Sequence, residues 1–111
     1  MGRPLEAARA FVKAVQARDA DAAAVLCTED VEVRVPGIDT PFHGKDGVRQ
    51  MIRMAPAELL QSLRGEEERG NEVRVTTLTR APGIFANYTT WRFETDGALV
   101  RRLSFELRGA N

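Results

Sequence analysis

The sequence is short of the residue types that form covalent crosslinks or metal sites. It holds one cysteine and one histidine in 111 residues. The single cysteine, Cys27, cannot form a disulfide within the chain, and it follows the apolar residues Val25 and Leu26, which predicts a buried thiol. One histidine, His43, and scattered carboxylates do not make a ligand cluster at a recognisable spacing. We therefore expect no metal and no cofactor.

Net charge and long apolar runs are also lacking. Sixteen basic residues balance sixteen acidic ones, whereas a dedicated nucleic-acid binder shows a basic excess, so no nucleic-acid partner is expected. No stretch approaches the roughly 18 apolar residues of a membrane span, and the first residues, MGRPLEAARAF, lack the apolar core of a signal peptide. The sequence thus predicts a cytoplasmic protein without a membrane partner, built as a single domain over residues 1–111.

The first half of the sequence has mainly helical patterns. Leu5, Ala8, Phe11, Val12 and Val15 recur at the spacing of one helix face. The predicted elements are a helix over residues 4–18, a short helix capped by Asp19 or Asp21 and ending near Cys27, a strand over residues 31–35 that Pro36 and Gly37 end, and a helix from Asp46 to Pro56.

The second half is rich in Val, Thr and aromatic residues, which indicates strands separated by Gly-containing turns. The predicted strands cover residues 63–69, 72–80, 84–95 and 98–108. The segment AELLQSLR has helical propensity by itself, but strand 72–80 needs a partner, so we assign a strand from Leu63. Helices on one face of an antiparallel sheet define an α+β domain.

Three stretches of the sequence carry a family resemblance that spans nearly the whole chain. They are AFVKAVQARDADAAAVL with TEDVEVRVPG, then FHGKDGV, then WRFETDGALVRRLSFEL. In this order they resemble the nuclear transport factor 2-like (NTF2-like) superfamily, in its SnoaL-like polyketide cyclase and ketosteroid isomerase branch. The resemblance implies a cystatin-like cone, in which a curved antiparallel sheet wraps three N-terminal helices and leaves an apolar pocket. Members include isomerases, cyclases, dehydratases, epoxide hydrolases and proteins without chemistry, so the fold alone does not give the function.

The catalytic positions of the isomerase branch can be compared with this sequence one at a time. That branch uses a tyrosine on the first helix, a carboxylate before the loop proline and a protonated carboxylic acid on the aromatic strand. The resemblance places Phe11, Val35 and Thr89 at these positions. Phe and Val side chains hold no transferable proton, and Thr is not a carboxylic acid. We therefore expect no ketosteroid isomerisation.

Strand alternation predicts which side chains enter the pocket. On residues 84–95 the more apolar face holds Phe85, Asn87, Thr89, Trp91 and Phe93. On the last strand the apolar face holds Leu99, Leu103, Phe105 and Leu107. Arg101 shares the parity of that face, and it either lies at the open rim or reaches into the pocket to bind an anion. The predicted pocket walls that contact a ligand are Phe11, Val35, Thr89, Trp91 and Phe105.

Three residues are the candidates for chemistry. Asp39 lies in the loop after the first strand, and it is either a base over the pocket mouth or a solvated turn residue. His43 is either a general base or part of the junction between strand and helix. Asn87 is either a hydrogen-bond donor to an oxyanion or a hydrogen-bond partner of a backbone group or a water molecule. Glu58 is interpreted as a glutamate in the first turn of a helix, beside the helix N-terminus, and not as a candidate for chemistry.

Two hypotheses of different classes follow. In the first, the protein binds a hydrophobic small molecule, with acid–base chemistry such as cyclisation, isomerisation or dehydration if Asp39 or His43 acts as the base. In the second, it is a non-catalytic dimerisation or ligand-sensing module. In the second hypothesis the protein acts through the outer sheet face around Tyr88, Thr90 and Arg92. The resemblance implies a homodimer contact on this face, and we expect a homodimer under both hypotheses.

Overall fold

Three helices and one six-stranded sheet form the protein. The computed structural model describes residues 3–54 and 60–109. The helices are α1 (Arg3–Gln16), α2 (Ala20–Val25) and α3 (Gly44–Met54). The strands are β1 (Cys27–Arg34), β2 (Phe42–His43), β3 (Leu60–Arg69), β4 (Glu72–Ala81), β5 (Phe85–Asp96) and β6 (Leu99–Gly109). The predicted α+β class is confirmed. No helix in the described ranges is long and apolar enough to cross a membrane.

Local sequence signals explain where α2 and α3 begin. Asp19 caps α2, because its Oδ1 accepts a hydrogen bond from the backbone N–H of Ala22 at 3.1 Å. Helix α3 begins at Gly44, two residues earlier than the sequence predicted, and Gly44 adopts a φ of 74° that favours glycine. Gly47 lets α3 approach β2, since a Cβ there would lie 3.1 Å from atoms of Phe42. The predicted helix end at Pro56, and Glu58, fall outside the described residues.

The strands are arranged in the order β2-β1-β6-β5-β4-β3. Neighbours along the sheet are antiparallel except β1 and β6, which pair in parallel. The predicted antiparallel meander is confirmed for β3 to β6, and the parallel pair of β1 and β6 makes the whole sheet mixed. Strand β3 forms where the sequence predicted it against its helical propensity, although it begins at Leu60 rather than at Leu63. The hydrogen bonds that β4 offers along ten residues outweigh a propensity of a few tenths of a kcal/mol per residue.

A bulge in β6 changes which side chains face the core. Thr95 pairs with Val100 and Glu94 pairs with Arg102, so Arg101 is an extra residue in β6. As a result Val100 is fully buried, while Leu99 is 41% exposed. Arg101 is exposed, and its Nη2 lies 3.4 Å from Glu94 Oε1. The predicted inward position of Leu99 is wrong, and so is the idea that Arg101 reaches into the pocket.

The core lies between α1 and the inner face of the sheet. Phe11 is fully buried at its centre, edge-on to the rings of Trp91 and Phe93 at centroid distances of 6.5 and 5.7 Å. Cys27 is buried as predicted, and its Sγ donates to the carbonyl of Ala23 at 3.4 Å. Through these contacts α1 covers part of the apolar inner face of the sheet.

The edge strand β3 also holds α1 in place. Arg9 donates from Nε and Nη2 to the two carboxylate oxygens of Glu66, each at 2.6 Å. Glu68 Oε2 accepts from the backbone N–H of Leu5 in the first turn of α1, at 3.2 Å. The hydrogen bond and charge of Arg9 lower the pKa of Glu66. Charged contacts thus fix α1 at the sheet edge, while apolar contacts fix it at the centre.

Candidate functional site

A cavity of about 460 Å³ lies inside the cone. The inner faces of β3 to β6 form one side, and α1, α3 and the segment after β1 form the other. The lining residues are mostly aliphatic or aromatic, with four neutral polar side chains. They are Val15, Val35, Pro36, Ile38, Phe42, Met51, Met54, Gln61, Thr79, Phe85, Asn87, Thr89, Trp91, Phe105 and Leu107. This size falls in the range of about 300–1,000 Å³ that is typical of small-molecule sites.

The strand register explains why polar and apolar residues are segregated in the cavity wall. Gln61, Thr79 and Asn87 are direct partners across β3, β4 and β5, so they form one polar row. Two residues further along β4 and β5, Thr77 pairs with Thr89. Beyond them Val75, Trp91 and Phe105 form an apolar row. The sheet therefore presents a polar corner next to an aromatic wall, and we use "polar corner" for Gln61, Thr79, Asn87 and Thr89.

Trp91 lies next to the polar corner, and one hydrogen bond and two ring contacts hold its side chain. Its Nε1 donates to Thr77 Oγ1 at 2.9 Å, which satisfies the buried indole N–H. Its ring stacks on Phe93 with an interplanar angle of 7° and meets Phe105 edge-on at a centroid distance of 4.9 Å. Trp91 is 2% exposed and lines the cavity. A fixed aromatic surface is thus available to an apolar ligand.

The threonines of the inner face form a hydrogen-bond network with a defined direction. Thr79 Oγ1 donates to Gln61 Oε1 at 2.7 Å. Each hydroxyl has one proton, so Thr79 must accept from Thr77 at 3.2 Å and from Thr89 at 2.8 Å. Thr77 in turn accepts from Trp91. The network therefore runs from Trp91 through the threonines to the amide of Gln61.

Four of the five predicted ligand-contact residues line the cavity, namely Val35, Thr89, Trp91 and Phe105, and so does Asn87. Phe11 does not, because Trp91 and Phe93 cover its ring within the core. Alternation along β5 is what brings Asn87, Thr89 and Trp91 to one surface. Their roles toward a ligand stay predictions.

The two predicted bases, Asp39 and His43, lie outside the cavity wall. Both are exposed. The segment after β1 does border the cavity, but it contributes the apolar residues Val35, Pro36 and Ile38. His43 lies in β2, where it pairs with Glu32 of β1. A catalytic role for either residue remains a prediction.

The described part of the cavity wall is neutral. None of the described lining residues carries an ionisable side chain. Across the described ranges, no group of three or more His, Cys, Asp or Glu side chains is arranged to hold a metal ion. The donors and acceptors of the polar corner are amides and hydroxyls, which do not ionise at neutral pH.

Sequence reasoning missed two polar residues of the wall, Gln61 and Thr79. Thr79 lies in the strand predicted over residues 72–80, but it is not among the predicted ligand contacts. Gln61 lay before the predicted start of β3 at Leu63. Because Leu63 pairs with Thr77, extending the strand by two residues puts Gln61 opposite Thr79 on the same face. The register of β4 would have identified it.

Comparison with known proteins agrees with this architecture. The SnoaL-like domain family model matches residues 8–102, so the chain belongs to the SnoaL-like family. A protein from Sphaerobacter thermophilus is 25% identical, with a TM-score of 0.77 and coverage of 93% of this chain and 94% of that one. No curated protein sequence matched.

Two further solved structures share the fold at lower identity. A Kribbella flavida protein, provisionally described as a ketosteroid isomerase, has a TM-score of 0.87 at 17% identity, with coverage of 100% of this chain and 82% of that one. A Sinorhizobium meliloti protein, provisionally described as a polyketide cyclase, has a TM-score of 0.77 at 17% identity, with coverage of 91% and 94%. At these identities the similarity concerns the fold.

Proposed function

We propose that this protein binds a hydrophobic small molecule inside the cone. The observation that carries the proposal is the cavity itself, of about 460 Å³, which combines a fixed aromatic wall with one polar corner. Apolar surface of this kind gains about 25 cal/mol for each Å² that a ligand removes from water. A few neutral polar groups then fix the orientation of the ligand, as is usual for small-molecule sites.

Acid–base chemistry on the bound molecule is the finer hypothesis. It would use Asp39 or His43 as the base and Asn87 as the oxyanion donor, for a cyclisation, isomerisation or dehydration. Such a step requires residues 36–41 to turn Asp39 over the cavity, whereas Ile38 is the residue of that loop next to Asp39 that lines it. The geometry supports binding more directly than it supports proton transfer.

The binding proposal can be tested with the intrinsic fluorescence of Trp91, which is the single tryptophan of the chain. 2-Decalol is a suitable probe, because it is apolar, carries one hydroxyl and does not absorb with tryptophan. We expect a saturable change in Trp91 emission at one decalol per chain. Val35→Phe, which fills part of the cavity, should weaken binding about tenfold or more.

Asp39→Asn combined with His43→Gln is the matched control, because both residues are exposed and lie outside the cavity wall. This double variant should bind decalol like the parent protein. A titration without saturation, or a Val35→Phe variant that binds as tightly as the parent, would contradict the proposed binding site.

A homodimer through the outer sheet face is the second proposal. The centre of that face is neutral, formed by Thr76, Leu78, Tyr88 and Thr90, which are mutual partners on β4 and β5. We call these four residues the outer patch. Charged side chains surround it on the same face, namely Arg74, Arg80, Arg92, Glu106 and Arg108. A neutral centre with a charged rim is the pattern of a protein–protein interface, and a second copy of this chain is the proposed partner.

A further inference from the structure

The direction of the threonine network determines what the polar corner offers to a ligand. Thr89 Oγ1 spends its proton on Thr79, so toward the cavity its oxygen can act only as an acceptor. Thr89 is 4% exposed, which places this acceptor in a site with little competition from water. A ligand group that meets Thr89 must therefore be a hydrogen-bond donor.

The neighbouring amides offer the complementary chemistry. Asn87 makes no side-chain hydrogen bond within the described residues, and its amide presents both N–H donors and a carbonyl acceptor to the cavity. The oxygen of Gln61 accepts from Thr79, so its nitrogen, with two N–H groups, is the end of the amide that remains for other partners. One corner thus holds an acceptor at Thr89 beside donors at Asn87 and Gln61.

We infer that the polar corner selects neutral apolar molecules that carry a hydroxyl group, and that Thr89 accepts the hydroxyl proton of the ligand. This inference rests on the proposed ligand-binding function. A hydroxyl both donates and accepts, so it satisfies Thr89 and an amide N–H with one group. A ketone can use only the amides. A carboxylate meets no cationic side chain in the described wall, and it loses its hydration without an ion partner.

The cavity volume bounds the apolar part of the ligand. An apolar cavity of about 150 Å³ holds one benzene ring, so about 460 Å³ corresponds to about three rings. Trp91 and Phe105 lie on the apolar side of the polar corner, where they contact the hydrocarbon part. A molecule of two or three rings with a hydroxyl at one end matches both features.

The test compares 2-decalol, 2-decalone and decalin-2-carboxylate, which share one bicyclic scaffold and differ in the polar group. Isothermal titration calorimetry at pH 8 should give the tightest binding for decalol, with decalone about fivefold weaker because one hydrogen bond is missing. Decalin-2-carboxylate should bind at least about tenfold more weakly than decalol.

Thr89→Val removes the acceptor and keeps the side-chain shape. It leaves Thr79 with a donor from Thr77, so no buried donor loses its partner. We expect decalol to bind about fivefold more weakly and decalone to be unchanged, so the preference between them disappears. Thr89→Ser, which restores a hydroxyl, should restore the preference. Thr28→Val makes the same chemical change on β1, outside both the cavity wall and the outer patch, and should change neither affinity.

The outcomes distinguish a failure of ligand binding from a failure of the hydroxyl selection. If none of the three decalins binds the parent protein, the proposed binding function fails. If they bind with equal affinity, or if Thr89→Val weakens decalol and decalone equally, the cavity binds ligands but the hydroxyl selection is wrong. Binding of the carboxylate as tight as that of decalol would also overturn the inference.

Discussion

Single side chains determine what the cavity can recognise. Trp91 contributes a ring to the wall and an N–H to the threonine network. The hydroxyl proton of Thr89 is donated to Thr79, so this side chain offers the cavity an acceptor and no proton. The polar groups of the described cavity wall are therefore all neutral.

The positions of Asn87, Thr89 and Trp91 follow from the sequence, since regular alternation along β5 puts all three on one face. The orientations of Asp39 and His43 do not follow. Asp39 belongs to an irregular loop and His43 to a two-residue strand, and neither has a repeat that fixes its direction. Gly37, with a φ of 83°, lets the chain turn there in a way that periodicity does not describe.

Cys27 gives a prediction about pH at the scale of one residue. Burial raises the pKa of the Cys27 thiol to about 12, from an ordinary value of 9.0. Above about pH 9 the unfolded chain loses this proton while the folded protein keeps it, so the free energy of unfolding falls as the pH rises. We expect up to about 1.4 kcal/mol of loss per pH unit between about pH 9 and 11.

Cys27→Ala isolates this contribution, because tyrosine and lysine ionisations are common to both proteins. Urea unfolding should show that the parent loses stability more steeply than Cys27→Ala over this range, with a constant offset below pH 8. Parallel stability curves from about pH 8 to 11 would mean that the thiol is accessible or absent from the core.

Packing between elements explains why the helix and the strands meet as they do. The apolar face of α1 was readable from helical spacing, and its burial against β5 places Phe11 on Trp91 and Phe93. The bulge at Arg101 was not readable, because an inserted residue obeys no period and its cause lies in the pairing with β5. The strand β3 could be predicted only because β4 needs a partner.

The position of Phe11 leads to a prediction about packing. Phe11→Leu should lower the free energy of unfolding by about 1 to 2 kcal/mol, because it shrinks a fully buried ring contact. The affinity for decalol should change less than about twofold, since Phe11 does not line the cavity. Urea unfolding and calorimetric titration measure the two effects. Lost ligand affinity at unchanged stability would return Phe11 to the binding site.

The order of the strands belongs to the whole molecule. The parallel pair β1–β6 joins segments from opposite ends of the chain, and no local pattern in either segment names the other as its partner. The family resemblance supplied the cone, whereas the residues alone supplied the element types and the inward faces. The reason is that alternation is set by neighbouring residues within one strand, whereas sheet topology depends on segments that are far apart in the sequence.

The proposed homodimer also belongs to this scale. Tyr88→Glu should split it, because a two-fold axis would bury two new carboxylates in one interface. Light scattering should give twice 12.3 kDa for the parent protein and 12.3 kDa for the variant. Val25→Glu is the control, since Val25 is 67% exposed on α2, away from the sheet. A monomeric parent, or a Tyr88→Glu variant of doubled mass, would contradict the interface.

A ¹H–¹⁵N NMR titration with 2-decalol shows whether the ligand binds inside the cone. The chain has one indole N–H, that of Trp91, which lies in the cavity wall and is bonded to Thr77. Ligand binding inside the cone should shift this signal together with the backbone signals of Thr79, Asn87 and Thr89, at saturation and one ligand per chain. Shifts confined to the outer patch, or an indole signal that never moves, would contradict a binding site inside the cone.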